Sequence, residues 1–83
     1  MQLERLKAAK QRTVGLKQTL KAIEKGQAKI VFIADDAEQH VTTPLLELCS
    51  EKAVPVEAVA SMEELGKACN IEVGAATAAV LQE

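Results

Sequence analysis

The apolar positions of this 83-residue chain change period several times, and each change marks an element. Leu3 and Leu6, joined a turn later by Ala9 or Lys10, fall on one side of a short amphipathic helix over residues 3–11. Thr13 and Val14 break that pattern before Gly15. Leu16, Leu20 and Ile23 return at helical spacing and predict a second helix over 16–25 with one buried stripe. Gly26 stands where a left-handed C-terminal cap is expected. Residues 29–34 read Lys-Ile-Val-Phe-Ile-Ala, and that unbroken apolar run predicts a strand covered on both faces.

Asp35 and Asp36 then open a loop. A third helix is expected from Thr42-Thr43-Pro44, with a hydroxyl cap and proline in the first turn, continuing through Leu45, Leu46, Leu48 and Cys49 to Lys52. Pro55 opens a second strand over 56–59, a position where proline is tolerated only at a strand start or edge. Ser61-Met-Glu-Glu64 has the form of a capping box and predicts a helix over 62–68. A loop over 69–74 leads to a last strand over 75–81, rich in Ala, Thr and Val. Helices alternating with strands predict an α/β fold, a three-layer α/β/α sandwich. The length fits a single domain over 1–83, with no internal repeat, linker or low-complexity stretch.

Charge changes the picture. Residues 1–29 hold Arg5, Lys7, Lys10, Arg12, Lys17, Lys21, Lys25 and Lys29 against only Glu4 and Glu24. The remainder holds Lys52 and Lys67 against ten acids, so a formal net charge of −2 conceals a strongly basic N-terminal third. Such asymmetry points to a basic face directed at an anionic partner, since the local field at the contact decides binding. Cys49 and Cys69 sit far apart in apolar contexts and are expected to be reduced core residues of a cytoplasmic protein. The N-terminal Met-Gln-Leu-Glu-Arg-Leu-Lys lacks the apolar core of a signal peptide, and no apolar run approaches the ~20 residues that span a bilayer. Phe32 is the one aromatic residue, which removes base-stacking platforms.

Lys17, Lys21 and Lys25 recur at i, i+4, i+8, opposite the apolar stripe of the second helix. Glu24 is the only acid in that helix, so ion pairing does not account for the lysines. Gly15 precedes the first turn, where outward-pointing amides and a missing side chain let a phosphate come close. In the loop 69–74, Ile71 and Val73 flank Glu72. Each either tucks into the core or forms an exposed apolar clip. Asp35, Asp36, Glu38 and His40 cluster in sequence, and they read as a charged run at a helix start rather than a metal site. No nucleophile–base pair, phosphate loop or zinc-spaced cysteine pair occurs, so neither an enzyme nor a cofactor is expected.

The segment Val14-Gly-Leu-Lys-Gln-Thr-Leu-Lys21, followed by Ala22-Ile-Glu-Lys-Gly26, resembles the RNA-binding helix of the ribosomal L7Ae family. Ile33-Ala-Asp-Asp36 and Leu65-Gly-Lys-Ala-Cys-Asn-Ile-Glu-Val-Gly-Ala75 resemble later blocks of the same family, in the same order and spacing. The likeness is greatest to its short Gram-positive members. The resemblance implies a four-stranded mixed sheet, with Thr13 and Val14 in a short first strand. It also implies binding to kink-turn RNA, a duplex bent sharply by a three-nucleotide bulge and tandem sheared G·A pairs. Such an RNA is ribosomal, a riboswitch or another structured RNA; nothing in the sequence requires a dimer, so a monomer is expected. By matching positions, Gly15, Lys17, Gln18 and Lys21 fall in the helix site, to which the lysine stripe adds Lys25, and Ile71, Glu72, Val73 and Gly74 fall in a loop that covers the bulge. Lys17-Gln18 stands where many relatives carry Asn-Glu, so an acceptor is kept but its charge is lost. A protein–protein adaptor on the same fold, docking through its acidic half, is the alternative. It gives no reason for a lysine stripe beside a helix start.

Overall fold

The computed structural model describes residues 3–83. Met1 and Gln2, which belong to the N-terminal segment read above for a leader, lie outside the described residues. The element order is α1 (Leu3–Ala8), β1 (Gln11–Val14), α2 (Leu16–Glu24), β2 (Ile30–Ala34), α3 (Gln39–Lys52), β3 (Val56–Val59), α4 (Met62–Ala68) and β4 (Thr77–Gln82). The strands form one mixed sheet in the order β1-β4-β2-β3. β4 pairs antiparallel with β1 and β2, whereas β2 and β3 run parallel.

Side-chain alternation along the two central strands builds two cores. Ile30, Phe32 and Ala34 of β2 join Ala78 and Val80 of β4 against Leu6 of α1 and Leu65 and Ala68 of α4. Val31 and Ala79, with half-buried Ile33 and Leu81, face Ile23 of α2 and Leu45 and Cys49 of α3. The expected α/β/α sandwich is thus observed, with α1 and α4 on one face and α2 and α3 on the other. Both faces of β2 are covered, which explains its unbroken apolar run. Among the described residues no helix is long and apolar enough to cross a membrane.

Three boundaries differ from the sequence reading by two residues or more. α1 ends at Ala8 instead of residue 11, because the Lys10 amide donates to the Gln82 carbonyl at 2.8 Å and draws the chain into β1. α3 begins at Gln39 rather than near Thr42. Glu38 occupies its N-cap without a side-chain cap bond, and the amides of Val41 and Thr42 donate to the Glu38 carbonyl at 3.0 and 3.2 Å. Thr42 is buried on the core side, so the extra turn is held by packing, and Pro44 lies inside the helix. Proline has no N–H for the His40 carbonyl, and His40 is an exposed residue of the first turn. β4 begins at Thr77 and not at residue 75, since the Ala75 amide is taken by the Met62 carbonyl at 3.0 Å.

Helices α2, α3 and α4 end alike. In each, a residue with positive φ lets the next amide reach back five residues: Gly26 (71°), Ala53 (57°) and Asn70 (63°). The bonds are Gln27 to Ala22, Val54 to Cys49 and Ile71 to Gly66, at 2.9, 2.9 and 3.1 Å, and they satisfy carbonyls otherwise orphaned. Gly26 was legible as such a cap; the other two carry side chains. The α4 start matches its capping-box reading, with the Glu64 amide donating to Ser61 Oγ at 3.1 Å.

Candidate nucleic-acid interface

β1, β2 and β3 each run into a helix at the same end of the sheet, so the starts of α2, α3 and α4 share one edge. β4 begins at that edge, between β1 and β2. The loop from α4 into β4 therefore emerges beside the α2 start. Two bonds fix this: the Gly15 amide donates to the Thr77 carbonyl at 2.9 Å, and the Ala34 amide to the Ala76 carbonyl at 2.9 Å.

Gly15 is the N-cap of α2, with φ 91° and ψ 164°. Only glycine adopts this region without strain. A Cβ there would meet nothing within 4 Å, so the requirement is conformational and the space in front of the helix start is open. No side chain caps the helix, and its first-turn amides face outward. Thr19 is buried beneath the first turn, its hydroxyl 2.9 Å from that of Thr13 on β1. Lys17, Gln18, Lys21 and Lys25 are exposed. Thr19, Ala22 and Ile23 form the buried side, with Leu16 and Leu20 half-buried. Among the described residues none of these three lysines has an ion-pair partner. Gln18 is turned back toward the chain before the helix, its Oε1 accepting from the Val14 amide at 3.4 Å, a long contact on an exposed side chain.

The structure resolves the two readings of the loop residues. Ile71 packs against the core cluster that holds Leu65, whereas Val73 stands 71% exposed. Glu72 and Gly74 are exposed. Lys67, the basic residue of the last turn of α4, pairs with Glu63 at 3.3 Å and not with Glu72. One helical turn separates those two residues, whereas Glu72 lies past the reversal at Asn70. Gly74 has no positive φ; a Cβ on it would come 3.1 Å from Met62 Cβ. Gly66 is the tighter seat, and sequence reading missed it. A Cβ there would sit 2.2 Å from the Val73 carbonyl oxygen and 3.2 Å from Gly74 Cα, so the loop backbone lies directly on the bare helix face. Its signal was a glycine inside an otherwise strong helical segment.

The charged run after β2 serves the fold. Asp36 accepts the Met62 amide at 2.8 Å and ties the β2–α3 loop to the α4 start. Glu38 pairs with His40 Nδ1 at 3.1 Å on the surface. Among the described residues no group of His, Cys, Asp or Glu is arranged to hold a metal. Not all of the basic N-terminal third is available either. Arg12 donates to the Cys69 carbonyl at 3.1 Å near the C-terminal end of α4, and Arg5 pairs with Glu83. The uncommitted positive charge here is that of Lys17 and Lys21 on α2 and of Lys25 at its C-cap, while Asp35 and Asp36 follow β2 at the same end of the sheet as the α2 start.

The fold and this edge define an α/β/α domain that presents an uncapped, lysine-bearing helix start beside a loop with an exposed valine. The family model described as the ribosomal protein L7Ae/L30e/S12e/Gadd45 family matches residues 1–83. This chain belongs to that family. It is 50% identical over 68 residues to an RNA-binding protein of Caldanaerobacter subterraneus, covering 82% of this chain and 83% of the relative. It is 40% identical over 82 residues to the RNA-binding protein YbxF of Geobacillus stearothermophilus, covering 99% of this chain and 100% of the relative. Among solved structures, the Giardia lamblia 15.5 kD RNA-binding protein superposes with a TM-score of 0.86 at 28% identity, covering 98% of this chain and 68% of that one. Neither the family description nor these names is that of an enzyme.

Proposed function

We propose that this chain is a non-enzymatic RNA-binding protein that recognises and stabilises kink-turns, acting as a cytoplasmic monomer. The observation that carries the reading is the bond between the Gly15 amide and the Thr77 carbonyl, 2.9 Å, which sets the open α2 start beside the loop that presents Val73. A-form RNA buries its major-groove base edges, so a small domain without aromatic platforms reads bases only where the helix is distorted. The start of α2 meets the sheared G·A pairs. There Lys17 donates to a guanine acceptor or a phosphate, and the Gln18 amide contacts a base edge. Lys21 and Lys25 meet backbone phosphates. Val73 and the backbone of Glu72 and Gly74 cover the bulge, with Ile71 anchoring the loop from below. Because these groups fit only the bent RNA, binding shifts the population from extended to kinked. The relatives named as RNA-binding proteins support the class, and the lysine stripe without ion pairs favours RNA over a protein partner.

A gel shift with a kink-turn duplex, and with the same duplex lacking its bulge, at two salt concentrations tests this. The kink-turn should be retained at salt that releases the plain duplex. Equal affinity for both RNAs would remove the kink-turn reading and leave only charge-driven binding.

A further inference from the structure

At the other end of the sheet, where β1 begins and β4 ends, an open cleft of about 320 Å³ is lined by Gln11, Gln27, Leu81 and Gln82. Four residues of β1 at ~3.3 Å each put it about 13 Å from the α2 start. Among the described residues none of the three glutamine side chains has a hydrogen-bond partner, so each offers an unspent donor and acceptor. Half-buried Leu81 gives the cleft an apolar wall. Lysines flank it through the backbone: the Lys10 amide donates to the Gln82 carbonyl and the Lys29 amide to the Val80 carbonyl, both at 2.8 Å. Of the nearby carboxylates, Glu83 is engaged by Arg5, which leaves Glu24 at the end of α2. The Lys17–Lys21–Lys25 stripe runs toward this cleft over eight helical residues, ~12 Å.

We propose that this amide-lined cleft is a second nucleotide site, which takes one unpaired adenine from RNA leaving the kink-turn along the lysine stripe. The inference rests on the RNA-binding reading above. A glutamine amide pairs bidentately with the N6–H/N7 edge of adenine, as it also can with the donor–acceptor edge of an unpaired pyrimidine, so the preference for adenine rests on its two fused rings, which cover more of Leu81 than a single ring does. Leu81 packs on the base, and the flanking lysines meet its phosphates. The volume lies at the small end of the ~300–1,000 Å³ range of ligand pockets, which suits a single nucleotide.

The test compares a blunt-ended kink-turn with the same RNA carrying a short single-stranded oligoadenylate or oligouridylate tail, placed on each strand end in turn. In wild-type protein one oligoadenylate tail should tighten binding about five-fold or more over the blunt RNA. The oligouridylate tail should give little gain. The Gln27→Ala, Gln82→Ala double variant, which changes exposed side chains only, should lose the gain and keep blunt-RNA affinity. No gain from any oligoadenylate tail, an equal gain from both bases, or a gain that survives in the variant would overturn the proposal. Side-chain amide NMR with free oligoadenylate reads the cleft directly: Gln11, Gln27 and Gln82 should shift. Weak blunt-RNA binding with those shifts intact would sink the kink-turn reading and spare the cleft. Blunt-RNA binding without the shifts would do the reverse.

Discussion

Two residues of the edge are set by backbone conformation and burial before any ligand is considered. Gly15, at φ 91° and ψ 164°, has open space in front of it, so a methyl group would not collide. It would instead force an L-residue into a region that only glycine populates. Gly15→Ala should therefore lose about 1–3 kcal/mol of stability, read as a lowered denaturation midpoint. An unchanged midpoint would mean that the α2 start relaxes to another backbone geometry at no cost. Thr77 presents the reverse case. It is fully buried, and its hydroxyl has no hydrogen-bond partner among the described residues, while its carbonyl accepts from Gly15. Replacing an unsatisfied buried hydroxyl by a methyl group of similar shape removes a desolvation penalty. Thr77→Val should raise stability by about 1 kcal/mol in urea denaturation. A loss of stability would show that the hydroxyl holds an internal water.

The elements were legible where periodicity was strong and local, and less so where tertiary contacts set a boundary. The apolar run of β2, the α2 stripe, the Gly26 cap and the Ser61 cap of α4 each carry their own signal within a few residues. The start of α3 does not, because buried Thr42 is decided by packing, and Pro44 in the sequence reads as a first-turn proline. The candidate site divides the same way. The exposed lysines followed from helical spacing, but which of Ile71 and Val73 points outward depends on the reversal at Asn70, and the seat of the loop depends on Gly66. That seat gives an element-scale prediction. Gly66→Ala adds helix propensity of about 1 kcal/mol, yet places a Cβ 2.2 Å from the Val73 carbonyl oxygen, so the loop must lift. The protein should remain folded by circular dichroism and bind kink-turn RNA several-fold more weakly. Val73→Asp, on a side chain already exposed, should weaken RNA binding comparably with little change in thermal midpoint. If both variants bind as wild type, the loop lies outside the contact.

On the scale of the whole molecule the sheet acts as a partition. Cys69 belongs to the α1/α4 core and Cys49 to the α2/α3 core, so the sheet separates their thiols. Burial pushes both thiols above the ordinary cysteine pKa, with Arg12 opposing the shift at Cys69. They cannot join within one folded chain, and a reductant should leave RNA affinity unchanged. Charge is partitioned as well. Arg5 and Arg12 are engaged in contacts that hold the C-terminal strand and α4, while Lys17, Lys21 and Lys25 on α2 have no ion-pair partners among the described residues. This distinction between structural and uncommitted charge decides what a lysine substitution does. Lys21 is exposed and lies on the side of α2 away from Ile23, so Lys21→Ala should leave the denaturation midpoint near wild type. If its ammonium neutralises a phosphate, log affinity plotted against log salt should flatten by about one unit, and binding should weaken alike for every kink-turn sequence. An unchanged slope would show that Lys21 is solvated charge, and the phosphate contacts would then have to come from Lys17 and Lys25.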